Sequence, residues 1–219
     1  MTRKRFNAAC FDVDGTLIDT GPPHREAERA TVRAFGFDDL ADDHPVTFGK
    51  GLIAGVQLVA EHYGLSSTDE VLAEYVRQWK RIAKAGIDLL PGANAAVRSV
   101  AAAGVRVALV SSGDRSSVDE FLRFSGLADV FNCSIAREDV TKHKPDPEPY
   151  LKAAETMGIN AANCIVFEDS VAGFKAARAA GMYCVGVGQV ALAAVGRAAP
   201  DLAVASFEEL DLDRLLAST

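Results

Sequence analysis

These 219 residues show no basic excess, no closely spaced cysteine pair, no long apolar run and no internal repeat or low-complexity tract beyond alanine-rich helices. Each absence narrows the possibilities. Thirty acidic against 23 basic side chains leave a net charge of −7, which argues against a nucleic-acid or anionic-membrane partner, since both need a basic face. An acidic chain can still hold a phosphorylated metabolite, but only where positive charge is supplied locally. The four cysteines, Cys10, Cys133, Cys164 and Cys184, lack any metal-ligand spacing and read as free thiols, three of them in strand-like stretches. No stretch approaches a membrane-spanning length. The opening MTRKRFNAACF is basic and then briefly apolar, but Asp12 interrupts it before it makes a signal peptide. A cytoplasmic protein is expected. The length allows a sizeable core and a second, smaller domain.

From residue 89 onward, helical and strand-like segments alternate. Residues 91–104 read as a helix opened by Pro91-Gly92 and closed by Gly104. VRVALV at 105–110 is a β-branched, largely apolar run, the pattern of a strand buried on both faces. A helix over 115–125, a strand over 131–135, a helix from 148 and a strand over 164–169 follow. Next come a helix over 170–181, strands at 182–188 and 201–205, and a helical tail from Phe207. With an opening strand over 8–13, this alternation predicts an α/β, Rossmann-like parallel sheet with helices on both faces. Residues 18–88 interrupt it with three amphipathic stretches, at about 23–36, 51–63 and 68–85, and no convincing strand. The expected organisation is an α/β core formed by 1–17 and 89–219, with 18–88 inserted as an all-helical cap domain.

The opening strand runs into CFDVDGTLIDT, where two carboxylates lie two residues apart at a buried strand end. Burying a carboxylate is costly unless a cation, a hydrogen-bond network or a proton compensates. Parallel sheets bind ligands beyond the carboxyl ends of their strands, and the other ends here are equally polar. Ser111-Ser112-Gly113 follow one strand, Glu168 and Asp169 close another, and Lys144-Pro145 lies in the loop after Ile135. Mg²⁺ suits the acids, because it takes hard oxygen ligands from one or two carboxylates together with water and phosphate. Asp12 and Asp169 can supply those carboxylates, with Glu168 in support. Ser111, the glycine-adjacent amides and Lys144 suit a phosphoryl group, whose transfer needs positioning and charge neutralisation. Metal and lysine together would make a small positive site in a negative molecule.

DVDGT at 12–16, the apolar strand into Ser111, Lys144-Pro145 and Glu168-Asp169 resemble the four ordered motifs of the haloacid dehalogenase superfamily. The inserted helices resemble that superfamily's helical cap. The segments around Lys144 and Asp169 are most similar to its branch of sugar phosphatases and β-phosphoglucomutases. The resemblance implies that Asp12 is a nucleophile forming an aspartyl-phosphate and Asp14 a general acid and then base. It also implies a metal site of Asp12, Asp14 through its backbone carbonyl, and Asp169, with Glu168 beside them. Ser111, Ser112 and Lys144 would bind the phosphate. Dehalogenase members differ at the second acid and use no metal, so Asp14 and Asp169 count against dehalogenation.

Taken singly, each motif has a plainer reading. Asp12 and Asp14 could be a helix cap and a turn acid, Lys144 a solvated lysine, and Ser112 a turn former. Their order along one chain is what lifts them. His24 matches, by its spacing from Asp14, a histidine of β-phosphoglucomutases, and is a candidate substrate or hinge residue; a surface histidine is the plainer reading. Lys50, Lys80 and Lys84 are candidate cleft-facing residues of the cap, while Trp79 and the phenylalanines are expected in the core. The expected function is a Mg²⁺-dependent phosphatase acting on a small phosphorylated metabolite, a sugar or polyol phosphate. The alternative is a sugar phosphomutase, which His24 favours and Leu52 disfavours, because Leu52 stands about where such mutases carry an arginine. A phosphate-accepting signalling receiver is a third reading, and the long helical insertion counts against it.

Overall fold

The computed structural model describes residues 6–45, 47, 52–83, 86–196 and 199–217. It divides into two compact units, Met1–Ile18 with Leu89–Thr219, and Asp19–Asp88. Ile18 falls with the first unit, where it forms an isolated antiparallel bridge with Leu89, and the Leu90 amide donates to the Leu17 carbonyl at 2.9 Å. The chain therefore leaves and re-enters this unit at adjacent points.

The first unit is a six-stranded parallel sheet: β1 (Ala8–Phe11), β2 (Arg106–Val110), β3 (Cys133–Ile135), β4 (Cys164–Glu168), β5 (Tyr183–Val187) and β6 (Leu202–Val204). Their spatial order is β3-β2-β1-β4-β5-β6. All five pairings are parallel. The order reverses between β1 and β4, the switch point at which open α/β sheets place their ligands. In β1 the whole run AACF is buried, as a strand covered on both faces requires. Successive side chains point to opposite faces. Ala8 and Cys10 join Ala108, Val110, Cys164 and Val166 in a core filled by Tyr150, Ala153 and Met157 and by Phe174, Ala176 and Ala177. Those residues come from α6 (Glu148–Thr156), with Met157 at its end, and α7 (Val171–Ala179). On the alternate positions Phe11 stacks on Phe167 at 4.5 Å between ring centres, and Phe207 leans on both. Two more helices belong to this unit, α4 (Ala93–Ala102) and α5 (Arg115–Ser125).

Several expected boundaries move. Strand β1 stops at Phe11 instead of residue 13, because the chain from Val13 folds into a tight turn in which the Leu17 and Ile18 amides both donate to the Val13 carbonyl. Strand β3 starts at Cys133 and not 131, Asn132 being taken up by bonds to the Val107 backbone. The tail from Phe207 is a single 3-10 turn, followed by a separate short helix α9 (Leu212–Leu216) capped by Asp211. A short helix α8 (Gln189–Ala193) had no clear periodic signal.

The second unit contains α1 (Gly21–Ala34), α2 (Leu52–His62) and α3 (Thr68–Ala83). Prolines occupy the first positions of α1, where a missing amide hydrogen costs nothing. Its core is Ala27, Val32, Val56, Val59, Ala60, Val71 and Tyr75, with Trp79 packed against it. Glu28 is buried beside a hydroxyl donated by Thr47 and the His44 ring at 3.3 Å. Phe37 and Phe124 depart from the expected core placement and are exposed at 37% each.

Candidate active site

Asp12 follows β1 directly, its amide donating to the Phe167 carbonyl at 3.0 Å and so extending the β1–β4 ladder by one bond. That bond fixes the Asp12 side chain at the switch point. Asp14 lies two residues on, at an isolated bridge with Ile18. Gly15 makes the turn at φ +79°, a region open mainly to glycine, and a Cβ there would strike the Asp169 carboxylate. The glycine thus both shapes the turn and leaves room for Asp169. Thr16, fully buried, donates its hydroxyl to Asp169 Oδ1 at 3.3 Å.

At the end of β4, Glu168 is 1% exposed and receives five donors. Its Oε1 accepts from Lys144 Nζ at 2.8 Å and the Tyr150 hydroxyl at 3.0 Å. Its Oε2 accepts from the Asp169 and Ser170 amides and the Ser170 hydroxyl at 2.8–2.9 Å. Ser170 is the N-cap of α7 and accepts from the Gly173 amide, so the carboxylate sits at a helix start where negative charge is favoured. Burial raises the Glu168 pKa, but Lys144 and these hydrogen bonds outweigh it, and the net shift is downward. Glu168 is an anion whose oxygens are already engaged by protein donors.

Lys144 spends its three ammonium hydrogens on Asp12 Oδ1 at 2.5 Å, Glu168 Oε1 at 2.8 Å and the Val110 carbonyl at 3.2 Å. Burial disfavours its charge, yet Asp12 and Glu168 more than compensate and its pKa rises. The Tyr150 ring lies under the ammonium at 4.9 Å. Ser111 is buried, with its amide on the Ile135 carbonyl and its Oγ accepting from the Gly113 amide at 2.9 Å. Its hydroxyl works against the burial that raises the Asp14 pKa, a smaller effect than the burial itself.

Asp12, Asp14, Ser111, Lys144, Glu168 and Asp169 are therefore drawn together. Carboxylate oxygens of Asp12, Glu168 and Asp169 lie within 4.8 Å of one another. Four carboxyls lie around one ammonium, and burial adds to the cost of their charge. Burial raises the Asp12 pKa, Lys144 opposes it, and Glu168, Asp169 and Asp14 push it further up. Asp14 is likewise raised, by burial first. Burial, and then Glu168, push Asp169 to about 7. A divalent cation fits this donor set: hard oxygens, excess negative charge, and two carboxylates, Asp12 and Asp169, less occupied by protein donors than Glu168.

Ser112 is exposed, and its carbonyl accepts from Arg137. His24 belongs to the helical unit, stacked on Trp79 at 4.0 Å and bonded to the Tyr75 hydroxyl. Burial lowers its pKa to about 4, so the ring is neutral at neutral pH. Lys80 is exposed on α3, Leu52 is exposed at the start of α2, and Lys50 and Lys84 lie outside the described residues. Sequence reasoning missed Tyr150, Thr16 and Ser170. Ser170 was findable as a helix-capping serine after the acidic pair, and Thr16 and Tyr150 lie inside the DVDGT and KPDPEPY segments without a signal for their contacts.

Comparison with known proteins yields consistent matches. The profile of the haloacid dehalogenase-like hydrolases matches residues 6–181. Protein CbbY of Rhodobacter capsulatus is 34% identical over 191 residues, spanning 82% of this chain and 84% of that protein. The fructose-1-phosphate phosphatase YqaB of Escherichia coli is 32% identical over 186 residues, spanning 84% of this chain and 97% of that protein. Among solved structures, a β-phosphoglucomutase from Clostridium difficile superposes with a TM-score of 0.77 at 23% identity, covering 96% of this chain and 95% of that one. This last likeness concerns the fold.

Proposed function

The chain belongs to the haloacid dehalogenase-like hydrolase family, and on that footing we propose that it is a Mg²⁺-dependent phosphatase of small sugar or polyol phosphates. One observation carries the reading: Asp12, held by Lys144 at 2.5 Å, shares a 4.8 Å cluster with Asp169 and Glu168 at the switch point of the sheet. The sugar-phosphate class is supported by the named activity of the Escherichia coli relative.

In the proposed reaction an Asp12 carboxylate oxygen attacks phosphorus. The bond to the ester oxygen breaks, leaving an aspartyl-phosphate. Asp14 gives its proton to the departing alkoxide; its raised pKa, caused first by burial, suits a group that must start protonated. Water then attacks the phosphorus, Asp14 takes the water's proton, and Asp12 is regenerated with release of inorganic phosphate. Lys144 keeps Asp12 oriented and is the nearby cation for the phosphoryl oxygens. Ser111 would bind a phosphoryl oxygen, and its hydroxyl tempers the rise in the Asp14 pKa. Asp12, Asp169 and the Asp14 carbonyl would hold Mg²⁺, which supplies neutralising charge to the phosphoryl group when bound.

The test is phosphate release from a panel of sugar, polyol and nucleotide phosphates, with Mg²⁺ and with chelator, beside Asp12→Asn. Release that needs Mg²⁺ and Asp12 and favours sugar or polyol esters is expected. Interconversion of hexose 1- and 6-phosphates without release would replace the reading by a phosphomutase. Equal release by Asp12→Asn would remove Asp12 from the chemistry.

A further inference from the structure

Tyr150 is fully buried in the first turn of α6, yet it carries a polar group into the core. A Phe would fill the same volume without a hydroxyl to satisfy. The hydroxyl is spent on Glu168 Oε1, the same oxygen that accepts from Lys144, while the ring face lies 4.9 Å from the Lys144 nitrogen. The side chain therefore contacts both members of the ion pair behind Asp12. It does not reach Asp12 itself by any hydrogen bond among the described residues.

We propose that Tyr150 is a positioning residue for the phosphoryl-transfer site: it fixes how the Lys144 ammonium is shared between Asp12 and Glu168. Two physical effects act together. By donating to Oε1, the hydroxyl takes up part of that oxygen's negative charge and weakens its pull on the ammonium. The ring face offers the cation a second, weaker support from below and limits its movement away from Asp12. Removing the hydroxyl leaves Oε1 with Lys144 as its remaining donor, whereas Oε2 keeps three donors and holds the Glu168 carboxylate in place. The ammonium then moves toward Glu168 and its contact with Asp12 loosens. Glu168 stays anchored, so the change falls on the lysine and the nucleophile.

This inference rests on the phosphatase reading, and its test separates the two. Tyr150→Phe removes the hydroxyl alone, and Tyr150→Leu removes the ring as well. Ala154→Gly, a buried change one turn further along the same helix that removes no side-chain hydrogen bond, reports what loosening α6 does by itself. With turnover on the best sugar phosphate, Tyr150→Phe is expected to lower kcat about tenfold with KM within about twofold of the parent. Tyr150→Leu is expected to lose more, and Ala154→Gly to leave kcat within about twofold at a similar loss of thermal stability. A kcat for Tyr150→Phe equal to the parent's, or matched by Ala154→Gly, overturns the proposal. If no phosphate ester is turned over, the phosphatase reading fails, and a second readout still decides the Tyr150 claim. The buried Lys144 ammonium has its own ¹⁵N–¹H resonance, assigned by its loss in Lys144→Met. That resonance should move in Tyr150→Phe and stay put in Ala154→Gly; an unmoved signal in Tyr150→Phe overturns the inference.

Discussion

Lys144 stands against Asp12, Asp14, Glu168 and Asp169, and the shortage of positive charge sets what single substitutions do. Asp12→Asn removes one of the mutually repelling carboxyls while keeping its shape. It should leave the thermal midpoint equal to or above the parent's, since burial and neighbouring acids push the Asp12 pKa up, and should cut phosphate release at least about a thousandfold. Circular-dichroism melts and a phosphate assay check both halves; a variant that unfolds would show Asp12 to be structural first. Asp169 gives a pH prediction. Its pKa is raised from 3.8 to about 7, so the folded protein holds a proton that the unfolded chain has released between those values. The stability from that proton is complete below 3.8 and is lost as pH rises through about 7. In chelator, melting should therefore fall from pH 5 to pH 8, and Mg²⁺ should raise the midpoint more at pH 8 than at pH 6. Equal midpoints with and without Mg²⁺ at both pH values would count against a metal at these acids. The six converging residues were legible because each ends a strand or follows one. Tyr150 was not, because its hydroxyl meets Glu168 only when α6 is laid on the sheet.

At the scale of elements, the start of α7 sets two tendencies against each other. Helix propensity says Gly173→Ala should stabilise by about 1 kcal/mol. A Cβ at that position, however, would land on the Glu168 carboxyl, which is fixed by five donors and cannot swing aside. Overpacking costs about 1–3 kcal/mol, and here it also opposes an ion pair, so Gly173→Ala should lower the denaturation midpoint and weaken activity. A more stable variant would mean that Glu168 moves freely. In the helical unit, burial lowers the His24 pKa from 6.5 to about 4. Its contribution to stability is present above 6.5 and is lost as pH falls toward 4, so His24→Phe should flatten that part of the urea-midpoint profile. The longer elements could be read from periodicity and from glycine and proline boundaries. The one-turn pieces could not: α8 and α9 are too short for a helical period to declare itself, and the end of β1 is set by amides converging on the Val13 carbonyl.

At the scale of the molecule, Ile18 pairs with Leu89 and the Leu90 amide reaches Leu17, so the two ends of the α/β unit's gap lie side by side. Replacing Asp19–Asp88 by a linker of about three residues should leave a folded sheet, because closing a short gap costs little chain entropy. Dispersed NMR signals and a cooperative melt would show it; a collapsed, non-cooperative product would mean that the sheet depends on the helices for folding. The first segment of the α/β unit ends at Ile18, one residue later than the edge expected from the sequence.

That doorway has an evolutionary corollary. A segment tethered at two neighbouring points can be lengthened, trimmed or exchanged wholesale while the hydrogen-bond register of β1 with β2 and β4 stays as it is. Descendants of one such catalytic chassis could thus diversify their helical inserts without relearning how to build the acidic cluster, much as interchangeable lenses share one camera body.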